Sequence, residues 1–330
     1  MKKLINEVDN ILNESLLGFS ATHSEIVSYN PDPRFVYRKD GRTEGKVSLI
    51  SGGGSGHEPL HAGFVGMGML DAACPGEVFT SPTPDQMEAA ARLVDGGAGI
   101  LFIVKNYSGD VMNFEIAAEM LDIPNESILT NDDVAVEDSS FTTGRRGVAG
   151  TLVVEKVVGA AAESGTGLKE CHLLGTKVNA QTRSMGVALS SCTVPAAGKP
   201  TFELDNKEME MGVGIHGEPG RKRVEFSKAD NIANDLISAI IEDLKIAKGS
   251  EVLLFINGFG GTPAMELYLM YNSAAKILAD QGMKIKRSLV GNYVTSLEMS
   301  GCSITVTVLD EEIINYWDAP VLTSALRWKC

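Results

Sequence analysis

Three segments of the chain combine glycine with side chains that can transfer protons or act as nucleophiles. They cover residues 52–59, 105–110 and 216–220. Each follows a run of residues typical of a β-strand. Ligands of open α/β sheets collect at the carboxyl ends of strands. We therefore expect these segments to line a binding site.

The first segment, with the sequence GGGSGHEP, is predicted to form a loop over residues 52–56 and a helix from Pro59 to residue 70. Three consecutive glycines let a ligand approach the main chain without a Cβ in its way. The pattern matches neither the dinucleotide-binding fingerprint nor the Walker A motif. His57, at the loop's exit, is either a functional group or an ordinary turn residue. His61 lies one predicted helical turn further on and shares its face.

The second segment, KNYSGD, places Lys105 and Asp110 after a predicted strand. A lysine and a carboxylate at a strand's end could supply an electrophilic donor and a general base. Asp110 could equally cap a helix predicted to begin at Val111, because aspartate is a preferred N-cap residue. Spacing alone leaves both interpretations open.

The third segment begins at His216, which leaves an alternating strand predicted over residues 209–215 and enters the turn GEPG. Such a histidine is easily exposed to a cleft. A turn histidine hydrogen-bonded to a carbonyl fits the pattern as well.

Two adjacent carboxylates, Asp132 and Asp133, lie in the segment 131–136 (NDDVAV). They could hold magnesium, but adjacent acids more often solvate a turn, and no phosphate-cradling groups stand beside them. The sequence therefore favours the turn and predicts no metal site.

Composition narrows the class of protein. The 330 residues carry a formal net charge of −14 and no long basic patch, which excludes nucleic acid as an expected partner. Five scattered cysteines without a C-x-x-C pair suggest neither a disulfide framework nor a zinc site, and they fit a reducing cytoplasm. No stretch of about 18 consecutive apolar residues is present, so we expect no membrane span.

From about residue 45, short apolar runs alternate with helical patterns, which predicts an α/β protein. We expect two domains, each with a mixed or parallel β-sheet flanked by helices. The polar stretch near residues 181–184 suggests the boundary. Residues 1–183 would then carry the glycine-rich and Lys105/Asp110 segments, and residues 184–330 would carry His216.

Six motifs, taken together, resemble the dihydroxyacetone kinase K-domain family. In chain order they are SGGGSGHEP (51–59), CPGEVFTSP (74–82), KNYSGD (105–110), GRRG (144–147), CTVPA (192–196) and GVGIHGEPG (212–220). The resemblance implies a two-domain α/β subunit that forms a homodimer and binds dihydroxyacetone in the cleft between its domains.

The resemblance also implies roles for particular residues. His216 would attack the substrate ketone to give a covalent hemiaminal, which glycerol cannot form because it lacks a carbonyl. Asp110 would take the proton from the hydroxyl that attacks phosphorus, and His57 would hydrogen-bond the substrate and assist hemiaminal formation. The other implied substrate-binding residues are Gly54, Ser55, Gly56, Ser81 and Lys105.

Family members that use ATP directly carry an additional helical nucleotide-binding domain, and none follows residue 330 here. The expectation is therefore a separate K subunit without its own cofactor. It would receive phosphate from an L subunit holding ADP and magnesium, which a phosphocarrier M subunit of the sugar phosphotransferase system recharges. Two rivals are a K-like paralogue that binds dihydroxyacetone and coactivates a transcription regulator without catalysis, and a truncated ATP-dependent kinase.

Overall fold

A computed structural model describes residues 2–135, 144–218 and 220–330. Val136 of the acidic segment and Pro219 of the His216 segment lie outside the described residues. The helices are α1 (Ile11–Thr22), α2 (Pro84–Val94), α3 (Ser108–Met120), α4 (Gly150–Glu163), α5 (Leu168–Ala180), α6 (Ala229–Leu244), α7 (Ala264–Asp280) and α8 (Glu311–Trp317). The strands are β1 (Val27–Pro31), β2 (Arg34–Arg38), β3 (Ser48–Ser55), β4 (Gly66–Met67), β5 (Ala72–Val78), β6 (Ile100–Lys105), β7 (Asn125–Thr130), β8 (Thr182–Ala188), β9 (Glu208–Met211), β10 (Lys222–Glu225), β11 (Glu251–Gly258), β12 (Lys284–Gly291), β13 (Gly301–Val308), β14 (Val321–Thr323) and β15 (Arg327–Trp328).

The strands form two six-stranded sheets. The first has the order β1-β2-β5-β3-β6-β7, with β5, β3, β6 and β7 parallel and β1 and β2 antiparallel at one edge. The second has the order β10-β9-β8-β13-β11-β12 and is antiparallel except for the β11–β12 pair. Both sheets are mixed and packed against helices, which confirms the predicted α/β class.

Alternate side chains of the central strands pack into different cores. In β11, Leu253 and Phe255 enter a core shared by both sheets, whereas Val252, Leu254 and Ile256 pack with α6 and α7. The strand β6 alternates in the same way, between the shared core and a third core formed with α2 and α3. Because side chains of a strand alternate between its faces, each sheet is buried on both sides. The shared core fixes the two sheets relative to each other.

The last strands return to the first half of the chain. The strand β14 pairs with β4 through Leu322 opposite Met67 and Thr323 opposite Gly66, and β15 pairs with β14. Trp317 and Val321 belong to the shared core. The division after residue 183 falls within β8 and stays a prediction.

Two local predictions around the glycine-rich segment are wrong. Gly52 and Gly54 belong to β3, opposite Cys74 and Gly76 of β5, rather than to a loop. A Cβ on Gly52 would lie 2.6 Å from the carbonyl oxygen of Cys74, so the absence of a side chain lets the strands pair.

The helix predicted from Pro59 to residue 70 is wrong as well. This stretch holds turns, a short 3₁₀ helix (Ala62–Phe64) and β4. Gly66 lies against the returning C-terminal segment, where a Cβ would be 2.2 Å from the carbonyl oxygen of Leu322. Helical periodicity could not reveal this pairing. The strand predicted over residues 209–215 likewise ends at Met211, because Gly212 has a φ of 77°.

In the described part of the chain, no helix is both long and apolar enough to cross a bilayer.

A buried ion network supports the start of β3. The Asp71 carboxylate accepts hydrogen bonds from Lys46 Nζ at 2.5 Å, Arg38 Nη1 at 3.4 Å and the Leu49 amide at 2.8 Å. Arg38, Lys46 and Asp71 are all at most 5% exposed. The Asp71 charge therefore compensates two cations that have little access to water.

Replacing Asp71 with asparagine should lower the free energy of unfolding by about 3 kcal/mol, because it leaves two buried cations short of a counter-charge. Asp40→Asn is the matched control. It removes an exposed partner of the same Arg38 side chain, which should cost less than about 1 kcal/mol. Urea denaturation of both variants measures the difference, and equal losses would contradict the role assigned to Asp71.

Candidate active site

Neighbouring parallel strands bring the first two sequence segments together. Lys105 ends β6, beside β3, and its Nζ donates a hydrogen bond of 3.0 Å to the carbonyl of Gly52. The same nitrogen lies 3.5 Å from Oδ2 of Asp110. A Cβ on Gly53 would be 2.2 Å from Nζ. A glycine at this position therefore makes room for a fully buried lysine.

Asp110 is not the N-cap of its helix. The helix α3 begins at Ser108 after an extended Tyr107, so Asp110 is its third residue. Oδ2 of Asp110 faces Lys105, whereas Oδ1 is buried and has no hydrogen-bond partner among the described residues. A buried carboxylate oxygen without a partner is suited to accept a proton from a ligand.

His57 follows β3, is 1% exposed and is held in one tautomer. Its Nδ1 lies 2.8 Å from the carbonyl oxygen of Thr295, which can only accept, so Nδ1 carries the hydrogen. Nε2 is buried and unpaired within the described ranges. Burial lowers the pKa of His57 well below its usual value, and electrostatic interactions with His216 and Lys105 lower it further. The neutral ring thus presents a lone pair at Nε2.

His216 lies between β9 and β10 and is oriented by Glu218. Nδ1 of His216 lies 3.2 Å from Oε1 of Glu218, and the His216 amide donates a hydrogen bond of 2.9 Å to Oε2. Burial acts to raise the pKa of Glu218, but its interactions with His216 and with the Arg146 guanidinium prevail and hold it at about 2. A carboxylate beside Nδ1 leaves the lone pair of the neutral imidazole on Nε2, the nitrogen needed for nucleophilic attack.

Aromatic contacts join the three segments. The His216 ring lies 4.6 Å from the His57 ring and 4.5 Å from the Tyr107 ring, measured between centroids. Phe79 stacks on His57 at 5.0 Å and meets the edge of His216 at 5.3 Å. The two histidines and the 105–110 segment therefore form one site, although they come from different sheets.

Arg146 ties the His216 segment to the first sheet. This 1% exposed side chain pairs with Asp133 at 2.5 Å and donates a hydrogen bond of 2.7 Å to the carbonyl of Gly212. Asp132 accepts hydrogen bonds from the amides of Val148 and Gly150. The adjacent carboxylates thus have structural partners. Among the described residues, no group of three or more histidine, cysteine or acidic side chains is arranged to hold a metal ion.

The remaining residues implied by the resemblance lie around the same strand ends. The Ser55 hydroxyl donates a hydrogen bond of 2.7 Å to the carbonyl of Gly76, and the Gly56 amide donates to both carboxylate oxygens of Glu58. Their polar groups are therefore already engaged. Gly54 packs against the backbone of residues 79–80, where a Cβ would be 2.6 Å from the amide nitrogen of Thr80. Oγ of Ser81 lies beside Gly109, at the start of α3.

Sequence reasoning missed several residues of this site. Glu218, Tyr107 and Phe79 each lie inside a motif that the sequence analysis singled out. The sequence does not show, however, that their side chains contact the two histidines. His61 takes its hydrogen-bond partners elsewhere: its Nε2 lies 2.9 Å from Lys105 Nζ, and its Nδ1 lies 2.6 Å from Oε1 of Glu155. Glu155, in an apolar stretch of α4, gave no signal.

The site contains one carboxylate oxygen and one imidazole nitrogen ready to accept protons, a nucleophilic imidazole, and a lysine beside the carboxylate. Such a set suits addition to a carbonyl and deprotonation of a hydroxyl. It contains no glycine-rich phosphate cradle of the Walker type.

Comparison with known proteins finds a family model and several relatives that match this chain. The family model described as Dak1 domain matches residues 17–325. The chain is 46% identical to the Escherichia coli (strain K12) protein "PEP-dependent dihydroxyacetone kinase, dihydroxyacetone-binding subunit DhaK", with 99% of each chain covered. It is 49% identical to "PTS-dependent dihydroxyacetone kinase 1, dihydroxyacetone-binding subunit DhaK" of Listeria innocua, covering 98% of this chain and 100% of that protein.

A solved structure, "Dihydroxyacetone kinase operon co-activator Dha-DhaQ", is similar with a TM-score of 0.90 at 34% identity. The alignment covers 97% of this chain and 98% of that one.

The pKa of His57 predicts a pH effect on stability. Its ring takes up a proton readily only after unfolding, when its pKa returns to about 6.5. As the pH falls below that value, unfolding is favoured. Urea denaturation should therefore show that wild type loses up to about 1.4 kcal/mol per pH unit relative to His57→Gln. A difference that stays constant from pH 7.5 to 5 would contradict the assignment of a neutral His57.

Proposed function

The chain belongs to the Dak1 domain family, and on that basis we propose that it is the substrate-binding and catalytic subunit of a dihydroxyacetone kinase. One observation carries the proposal. The two histidines and the Lys105/Asp110 pair, which the family resemblance marks as functional, meet at one place. The 46–49% identical relatives that are named dihydroxyacetone-binding subunits support it.

The first proposed step is covalent capture of the ketone. Nε2 of His216 attacks the carbonyl carbon, and the carbonyl electron pair moves to oxygen, which takes a proton from a water molecule whose hydroxide leaves to bulk solvent. The ring becomes an imidazolium, and the Glu218 carboxylate at Nδ1 neutralises its charge. The Nε2 lone pair of His57 accepts a hydrogen bond from the new hydroxyl. Glycerol forms no such bond, since it has no carbonyl.

The second proposed step is deprotonation of a terminal hydroxyl. Oδ1 of Asp110 accepts the proton while the hydroxyl oxygen attacks phosphorus, and the bond from phosphorus to the donor's leaving group breaks. Lys105, 3.5 Å from Oδ2, orients a substrate oxygen and offsets the charge that develops. Gly54, Ser55, Gly56 and Ser81 shape the walls around the substrate.

We propose that the phosphate donor is a nucleotide held with magnesium by a partner L subunit, which an M subunit recharges. The words "PEP-dependent" and "PTS-dependent" in the names of the two relatives support this choice over free ATP. The chain itself would need no cofactor or metal. We expect it to act as a cytoplasmic homodimer.

A second candidate function is non-catalytic. The co-activator structure shares the fold at 34% identity, so a protein of this shape can serve transcription. Asp110 favours the enzyme here, because Oδ1, which has no partner in the part of the chain that the structure describes, has no evident use in binding alone. Turnover with the L subunit decides between the two.

Purified chain, L subunit, phosphocarrier proteins and phosphoenolpyruvate should convert dihydroxyacetone to its monophosphate. Asp110→Asn should lower kcat by about 10²–10⁴-fold, the usual contribution of a general base, while dihydroxyacetone still binds. A coupled assay measures kcat, and calorimetry measures binding. The control Asp122→Asn removes an exposed carboxylate just beyond α3 and should leave both unchanged. Binding without turnover by the wild type would indicate the co-activator function.

Glu218→Gln should weaken dihydroxyacetone binding about tenfold, because the imidazolium of the adduct loses its charged partner. His216→Ala should abolish the adduct, which crystallography of the soaked protein would reveal as missing density between ring and ligand. Glu208→Gln, on β9, is the control for charge alone. Wild-type affinity in Glu218→Gln would disprove the role of the carboxylate.

A further inference from the structure

Behind the site lies a buried row of three side chains, of which only Lys105 has a role in the proposed reaction. Oε1 of Glu155 lies 2.6 Å from Nδ1 of His61, and Nε2 of His61 lies 2.9 Å from Nζ of Lys105. Glu155 and Lys105 are fully buried, and His61 is 6% exposed. The row runs from the middle of α4 to the lysine beside Asp110.

The contacts of Lys105 determine where the protons lie. Its Nζ faces two acceptors, the carbonyl of Gly52 at 3.0 Å and Oδ2 of Asp110 at 3.5 Å, as an ammonium does. It must therefore donate to His61 as well, so Nε2 of His61 carries a lone pair and Nδ1 carries the hydrogen. Burial lowers the pKa of His61 well below its usual value, with the charge of Lys105 adding to the effect, which keeps the ring neutral.

Glu155 completes the arrangement as an acceptor. Burial raises its pKa to about 8, against the opposing charge of Lys105. Whether or not Oε2 bears a proton, Oε1 can accept the hydrogen from Nδ1 of His61. Oγ of Ser51 also lies 3.0 Å from Nδ1 of His61, but a hydroxyl can either accept from or donate to that nitrogen, so Ser51 does not select a tautomer by itself. The carboxyl thus selects the tautomer whose Nε2 accepts from lysine.

We propose that Glu155 and His61 are positioning residues that aim the Lys105 ammonium into the active site. An ammonium has three hydrogens. Gly52 and His61 take two, so the third points toward Asp110 or a substrate oxygen. This inference rests on the proposed function, since it deepens the role of Lys105 in that same site.

The apolar setting of Glu155 argues against a merely structural role. In α4 every residue from Gly150 to Ala162 is buried, and an acid there is costly unless it is used. Oε2 has no partner in the described ranges, so packing alone would be served better by an apolar side chain. Lys156, the next residue, has a structural explanation instead, since its Nζ donates to the carbonyl of Tyr316 and lies over Trp328.

Substitutions of Glu155 distinguish whether its side chain acts as a hydrogen-bond acceptor, as a charge or only by filling space. Glu155→Gln keeps an acceptor oxygen at the Oε1 position and should retain wild-type kcat/KM within about twofold. Glu155→Met, of similar size but without an acceptor, should lower kcat/KM about tenfold, the effect of losing one hydrogen bond that orients a charged group. Equal losses in both variants, or none in Glu155→Met, would overturn the proposal.

A double-mutant cycle tests whether Glu155 acts through His61. His61→Leu should lower kcat/KM at least about tenfold. Adding Glu155→Met to it should cost less than about twofold more, because the acceptor no longer has a ring to orient. Full additivity would mean that the two side chains act separately, which the proposal excludes. Lys156→Met is the matched control: it should lower the melting temperature without changing kcat/KM.

The tautomer can be measured without turnover. Nitrogen-15 NMR of the histidine-labelled full-length protein should show His61 neutral, with the hydrogen on Nδ1, in wild type and Glu155→Gln. Glu155→Met should shift that signal toward a mixture of tautomers. A wild-type His61 protonated on Nε2 would disprove the positioning role even if the kinase assay succeeds. The expected tautomer with no kinase activity would instead disprove the proposed function.

Discussion

The site depends on one positive charge held out of water. Lys105 is fully buried at the end of β6. The groups that stabilise its charge come from elements other than β6. Gly52 offers a carbonyl from β3, Gly53 offers space, and Asp110 offers a carboxylate from α3. A buried ammonium without such partners would lose its proton or unfold its surroundings. The parallel pairing of β3 and β6 is therefore what keeps this buried lysine beside its partners.

The second constraint is the set of contacts that connects the two sheets. The amide of Leu297 donates to the carbonyl of Gly56, and the amide of Thr295 donates to that of His57, so backbone bonds cross from one half of the chain to the other. The shared core lies beneath them. Arg146 adds a third link, to the His216 segment. The distance between the two histidine rings is thus set by packed, hydrogen-bonded structure.

The sequence singled out His57, Lys105, Asp110 and His216 because each lies in a glycine-containing segment at or after a predicted strand, a pattern visible without coordinates. Sequence reasoning failed where the partner is distant in the chain. Residues 59–70 read as a helix, since the strand that pairs with Gly66 lies near residue 322. The glycine-rich segment looked like a loop because strand pairing through glycine has no periodic signature. The acid at position 155 was hidden inside an apolar run.

The pairing of β4 with β14 also bears on how the chain is made. During synthesis, the segment that carries His61 emerges from the ribosome long before its partner strand does. Until then its glycine-rich backbone and part of the shared core stay uncovered. Pairing between strands so distant in the chain slows folding and prolongs the exposure of aggregation-prone intermediates. The shared core is therefore completed only when the segment that carries β14 has joined it.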